Sequence, residues 1–72
     1  MPNSVYKVIE LVGSSPESWE KATANAVKQA AKSLRDLRIA EVVQMDAHIA
    51  PDGSIETYRT KIRVSFKYEG QG

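Results

Sequence analysis

His48 is the only histidine of the chain, and it follows Gln44 and Asp46 at two-residue spacing. In an extended backbone that spacing puts all three side chains on one face. An imidazole, a carboxylate and an amide so placed can ligate or sense pH; without a ligand they are simply a half-exposed strand face, the plainer of the two readings. Arg59, Lys61 and Arg63 repeat the spacing with cationic heads. Such a row can receive a phosphate or an RNA backbone, yet Glu10, Glu41 and Asp46 on neighbouring strands would neutralise it equally well as cross-strand ion pairs. Trp19 could stack a flat ligand, although a place in the first turn of a helix suits a core or interface anchor.

Signals for catalysis are scarce. The chain has no cysteine, no Gly-rich phosphate loop, and no serine with the partners of a triad, because its one histidine sits among strand residues. The expectation is a protein that is not an enzyme. A lone histidine without cysteines also removes the usual structural zinc site. With ten basic and nine acidic residues and a net charge of +1, the chain carries no electrostatic footprint for nucleic acid or an anionic membrane. No apolar run approaches the ~20 residues of a membrane span, and Met1-Pro2-Asn3 lacks the features of a signal peptide, so the expected compartment is the cytoplasm.

The elements that must position these residues fit one domain over 1–72. A chain of this length leaves roughly 40% of its unfolded surface exposed after folding. With no disulfide to compensate, self-association is the expected source of stability. Trp19, Ala22, Ala26, Val27, Ala30, Leu34 and Leu37 recur at helical spacing, which predicts one amphipathic helix over about 16–37. Ser15 is the expected cap, Pro16 the first helical residue, and Glu17 and Lys21 an i, i+4 pair. The alanine-rich stripe lets another backbone approach closely.

Strands are expected over about 5–12, 39–50 and 55–68, with a tail at 69–72. The first stops at Gly13-Ser14-Ser15 and is apolar on both faces, as a strand central in a sandwich or pressed against another subunit would be. The second follows a turn at Leu37-Arg38 and alternates Val43, Met45, Ala47 and Ile49 against Val42, Gln44, Asp46 and His48. Pro51-Asp52-Gly53 is a turn by its chemistry, so the third strand returns antiparallel. That strand puts Tyr58, Thr60, Ile62, Val64, Phe66 and Tyr68 toward the helix and the basic row on the other side. The fold class is α+β: β-α-β-β, a three-stranded antiparallel sheet around one helix. Strands of about 12 residues are long, and would extend past the helix toward neighbouring subunits.

The opening VYKVIELVGSSPESWE at 5–20, SLRDLRIAEVV at 33–43, Thr57-Tyr58-Arg59 and the closing Val64-Ser65-Phe66-Lys67 resemble a dodecin along nearly the whole chain. The resemblance implies a hollow homododecamer that holds flavins in stacked pairs and serves as a store or buffer rather than an enzyme. Two departures matter. In flavin-binding dodecins the residue aligned with Ile39 is a tryptophan that stacks on the isoalloxazine ring, and the residue aligned with Arg59 is a glutamine that bonds its polar edge. Isoleucine offers no π face, and arginine only donates. The chain therefore resembles the tryptophan-less branch, some of whose members are associated with calcium.

Ile39, Gln44, Asp46, His48 and Arg59 are the expected lining of the pocket that holds flavin in relatives. Weak or no binding of riboflavin or FMN is expected there. Alternatives are a different anion on Arg59, calcium or magnesium on Asp46 and neighbouring carboxylates, flavin held by rearranged contacts, or a structural shell without a small ligand.

Overall fold

The computed structural model describes residues 4–67. The Tyr68 end of the third strand, the tail at 69–72 and Met1-Pro2-Asn3 lie outside the described residues. The chain runs β1 (Tyr6–Ser15), α1 (Trp19–Ser33), β2 (Leu37–Ile49) and β3 (Ile55–Lys67). Both β1 and β2 pair antiparallel with β3, so the sheet order is β1-β3-β2, with the most regularly alternating strand at its centre.

The helix lies on β1 and β3 and barely reaches β2. Its buried residues are Ala22, Ala26 and Ala30, which meet Ile62 and Val64 of β3, with Ile9, Leu11 and Val27 packed at the edge. Alanines permit this because they hold the helix axis close to the sheet. At Gly13 the helix comes closest, and an added Cβ would overlap the Ala22 carbonyl and stand 2.8 Å from the Ala26 Cβ.

The helix starts later than the sequence suggests. Ser18, not Ser15, is the cap, its hydroxyl accepting from the Lys21 N–H at 3.0 Å. Ser15 still belongs to β1, opposite Tyr58, where it is buried and accepts from the Glu17 N–H at 3.0 Å. Pairing with β3 thus carries the strand past Gly13 and displaces Pro16 from the first helical turn. The expected Glu17–Lys21 pair forms at 2.9 Å. The helix also ends earlier: Leu34 caps it and Leu37 opens β2, so neither continues the stripe. Asp36, at φ 60°, makes the turn instead of Leu37-Arg38; a short polar side chain tolerates the left-handed region.

The β2–β3 hairpin closes at Pro51-Asp52-Gly53 as its chemistry requires. The Gly53 N–H bonds to the Ala50 carbonyl at 2.9 Å, Gly53 takes φ 92°, and the Asp52 carboxylate accepts from both the N–H and the hydroxyl of Ser54. Strand β2 departs from simple alternation. Register shifts at Leu37/Ile39 and Val42/Gln44 each insert one residue and change its phase, while the shift at His48/Ile49 places the extra residue, Glu56, in β3. Val42 is therefore opposite buried Ile62, on the helix side, and not beside Gln44 and Asp46 as alternation predicts. One extra residue in a strand turns every later side chain to the other face.

The subunit exposes 5585 Å², where a compact monomer of 8.0 kDa exposes about 4,450 Å². Its extents of 56 × 20 × 17 Å explain the excess. Much of that surface is apolar: Val5, Val12, Ile39, Met45 and Ile49 are all more than half exposed. Among the described residues no helix is long and apolar enough to cross a membrane.

Candidate functional site

The sheet face turned away from the helix is built in rows across the three strands. Ser14, Arg59 and Asp46 form one row, Val12, Lys61 and Gln44 the next, and Glu10, Arg63 and Glu41 the third. Directly opposed residues in antiparallel strands share a face at about 5 Å between Cβ atoms, so the register alone dictates these encounters. Arg59 donates from Nε to Asp46 Oδ1 at 2.8 Å and from a terminal nitrogen to Oδ2 at 2.9 Å, a two-pronged ion pair. Arg63 meets Glu10 at 2.7 Å and Glu41 at 3.8 Å. Cross-strand compensation of the basic row, one of the two readings of that row, is thus realised at Arg59 and Arg63.

Two cavities share the Asp46–Arg59 pair as a common wall. One, of about 120 Å³, lies between Val12, Gln44, Lys61 and that pair. The other is an open cleft of about 520 Å³ toward the hairpin, lined also by Ser14, Ala47, His48 and Thr57, and falls within the ~300–1,000 Å³ of typical ligand pockets. Gln44, Asp46, His48 and Arg59 therefore come together. Ile39 does not join them. It pairs with Ser65, six residues along β3 from Arg59, roughly 20 Å at the rise of a strand, and borders a separate shallow cavity with Val27, Leu37 and Val64.

Sequence reasoning missed two supports of this site. His48 Nδ1 lies 2.9 Å from Glu56 Oε1, both side chains being well exposed. Counting register outward from the Pro51-Gly53 turn would have found Glu56. The second support is Trp19, whose indole N–H donates to the Asp46 carbonyl at 2.9 Å. Its ring stands edge-on to Tyr58 at 4.9 Å, and its own carbonyl accepts from Thr60. Trp19 thus fixes the helix start beneath the strand segment that carries Asp46 and acts as an anchor, engaged on the far side of the backbone from the cleft.

Trp19→Phe should remove the indole donor and leave the Asp46 carbonyl unpaired, at about 1–2 kcal/mol. The check is a chemical-denaturation midpoint followed by far-UV circular dichroism, since the variant loses the only tryptophan. An unchanged midpoint would mean that the hydrogen bond contributes nothing net.

The ion pairs also set the acid response. Hydrogen bonding and charge from Arg63 hold the Glu10 carboxyl below its ordinary value, and hydrogen bonding from Arg59 does the same for Asp46. The Ser54 hydroxyl and N–H lower Asp52. A carboxyl whose folded value lies below its unfolded one stabilises above the unfolded value, and that contribution is lost as pH falls through the folded one. Thermal stability should therefore decline as pH drops from about 4, the ordinary carboxylate range, and Glu10→Gln with Asp46→Asn should flatten the decline. An equally steep acid limb in the double variant would put its origin elsewhere. Screening shrinks the effect in salt, because these groups are exposed.

The fit to a cation or a flavin follows from the same geometry. Among the described residues no three His, Cys, Asp or Glu side chains gather to hold a metal ion. Glu10, Glu41, Asp46 and Glu56 are instead each turned to a basic partner. The cleft has the size for part of a flavin but no aromatic residue among those lining it.

Fold and cleft together define a small α+β subunit with an open polar site on the bare face of its sheet. The family model described as Dodecin matches residues 5–69, and the chain belongs to the dodecin family. It is 52% identical over 64 residues to the calcium dodecin of Mycobacterium tuberculosis, covering 89% of each chain. A crystal structure of calcium dodecin from that organism, described as calcium-chelating with a novel calcium-binding site, superposes with a TM-score of 0.82 at 48% identity over 96% of this chain and 97% of that one. Dodecin from Streptomyces coelicolor superposes with a TM-score of 0.91 at 35% identity over 99% and 100%. Higher sequence identity thus accompanies the lower TM-score.

Proposed function

We propose that the protein is a dodecin-type homododecameric binding and storage shell whose usual flavin site holds flavin weakly or not at all. The observation that carries this is the two-pronged Asp46–Arg59 pair. It turns the donors of the residue aligned with the flavin-bonding glutamine toward a neighbouring carboxylate, and no aromatic ring lines the cleft to compensate. Ile39 reaches such a pocket only from another copy, because in one subunit it stands far from Arg59. The excess surface and its exposed apolar residues support assembly, since burying them offsets the small core.

Calcium is a second reading, favoured by the 52% identical relative that is named for it. Because the described residues of one copy gather no carboxylate set, the cation would be held by side chains that symmetry brings together from several copies, with Asp46 a candidate oxygen donor. A protein of this class binds and releases its ligand without chemistry. It is expected to act in the cytoplasm, with no nucleic-acid or membrane partner.

The test is fluorescence-quenching titration of the purified oligomer with riboflavin and FMN, with added calcium and with chelator. Little quenching is expected. Tight quenching would show that flavin is held by rearranged contacts and would sink the proposal. A rise in thermal midpoint with calcium over magnesium would support the cation reading; no response to either leaves the shell as a structural particle.

A further inference from the structure

Lys61 is the cation of the basic row that the fold leaves unanswered. Arg59 is met by Asp46, and Arg63 by Glu10 and Glu41, but among the described residues no carboxylate oxygen lies within 4.0 Å of the Lys61 ammonium. It sits half-buried on the central strand between Val12 and Gln44. Its charge reaches both flanking acids, since Lys61 helps to hold Glu10 and Asp46 in the ionised form without bonding to either. Beside it lies the cavity of about 120 Å³, room for about four waters at ~30 Å³ each, or for one tetrahedral oxyanion.

The walls of this cavity are donors with spare capacity. A guanidinium has five N–H groups, and Asp46 engages two of those of Arg59. The Gln44 amide stands directly across from Lys61 and offers two more donors. Residues two apart on a strand are about 6.6 Å apart on one face, so Arg59 and Lys61 flank a single phosphate-sized group. The Gln44 amide oxygen also accepts, but the one charged acceptor that opposes an anion is the Asp46 carboxylate, which holds the guanidinium fork in the manner a phosphate would.

From this we propose that Lys61, Arg59 and Gln44 form a receptor for a phosphate group, either inorganic phosphate or the phosphomonoester end of a larger ligand, and that Asp46 is its built-in competitor. The proposal rests on reading this cleft as the ligand site and adds the chemical class that it recognises. An arriving phosphate displaces the Asp46 carboxylate from Arg59 and takes its charge-assisted bonds from Arg59 and Lys61. Affinity in the native chain is held down by the cost of that exchange.

The experiment is calorimetric titration of the intact oligomer with inorganic phosphate at low ionic strength, with Asp46→Asn, Lys61→Gln and the two combined. Asp46→Asn is expected to bind phosphate at least tenfold more tightly than the native protein, and adding Lys61→Gln should abolish the gain. Affinity within twofold of native in Asp46→Asn, or a gain that survives Lys61→Gln, overturns the proposal. Among the described residues Lys61 makes no side-chain bond, so the single Lys61→Gln protein gives a check independent of Asp46. Phosphate should raise the native thermal midpoint relative to chloride at equal ionic strength and should not raise that of Lys61→Gln; equal responses overturn the proposal.

FMN and riboflavin separate the two sources of phosphate. Asp46→Asn should gain for FMN and not for riboflavin if a phosphomonoester is taken, and for inorganic phosphate alone if the site excludes a larger group. An equal gain for riboflavin would mean that the ring is recognised and would refute the phosphate assignment. Tight riboflavin quenching by the native protein, by contrast, would sink the weak-flavin reading and leave the phosphate result standing.

Discussion

Gly13→Ala should lower the stability of the protein by about 3 kcal/mol or more, and Gly13→Val should leave no folded assembly. Gly13 lies opposite Thr60 on β1, where the helix comes closest to the sheet, and the first added atom would overlap the Ala22 carbonyl and crowd the Ala26 Cβ. Backbone on one side and a buried helix on the other leave no flexible side chain to yield. Overpacking a tight core costs about 1–3 kcal/mol, and more where backbone must move. A domain of this size has roughly 4–11 kcal/mol in all. Thermal unfolding followed by circular dichroism, with sedimentation to count subunits, reads the effect. A Gly13→Ala protein with native midpoint and mass would show that helix and strand are not in such close contact.

Ile39→Trp with Arg59→Gln should raise flavin affinity by about two orders of magnitude in the intact oligomer. A ring pair contributes about 0.5–1.5 kcal/mol beyond burial, and each neutral hydrogen bond from a glutamine to the ring edge adds about 0.5–1.5 kcal/mol. One stack and two such bonds come to roughly 3 kcal/mol, where 1.4 kcal/mol is tenfold. The substitutions also dissolve the Asp46–Arg59 pair that now divides the cleft. Because Ile39 and Arg59 stand roughly 20 Å apart in one subunit, the gain should appear only where copies adjoin, and disappear when the oligomer is dissociated by dilution or mild denaturant. Quenching no stronger than native in the intact double variant would mean that the pocket backbone differs from that of flavin-binding relatives.

The element order, the Pro51-Gly53 hairpin and the alanine face of the helix were all legible in the chain, and the pairing of Arg59 and Arg63 was one of the two readings that it left open for the basic row. Each is written locally or pairwise: a period of 3.6 or 2, a turn that only certain residues make, and charges of opposite sign at matching strand positions. The helix start was not. Ser15 and Ser18 are both good caps with an acidic residue nearby, and the choice falls on Ser18 because Ser15 is claimed by Tyr58 across the sheet.

The site was legible as residue types but not as a place. Gln44, Asp46 and His48 did gather with Arg59, since alternation and the hairpin bring them there. Glu56 and Trp19 entered through contacts between elements, and Ile39 fell away through distance along the sheet. Two extra residues in β2, Arg38 and Val43, decided which of its side chains face the cleft, and nothing in composition marks them, since neither is a glycine.

By itself the sequence determined the family and the β-α-β-β order, because these depend on residue identity and local period. Only the tertiary structure decided that β3 is central, that Asp46 occupies Arg59 while no described carboxylate reaches Lys61, and that Ile39 stands away from Arg59 within one subunit. Those facts depend on strand register, and register is fixed by long-range hydrogen bonding and burial that no single segment contains.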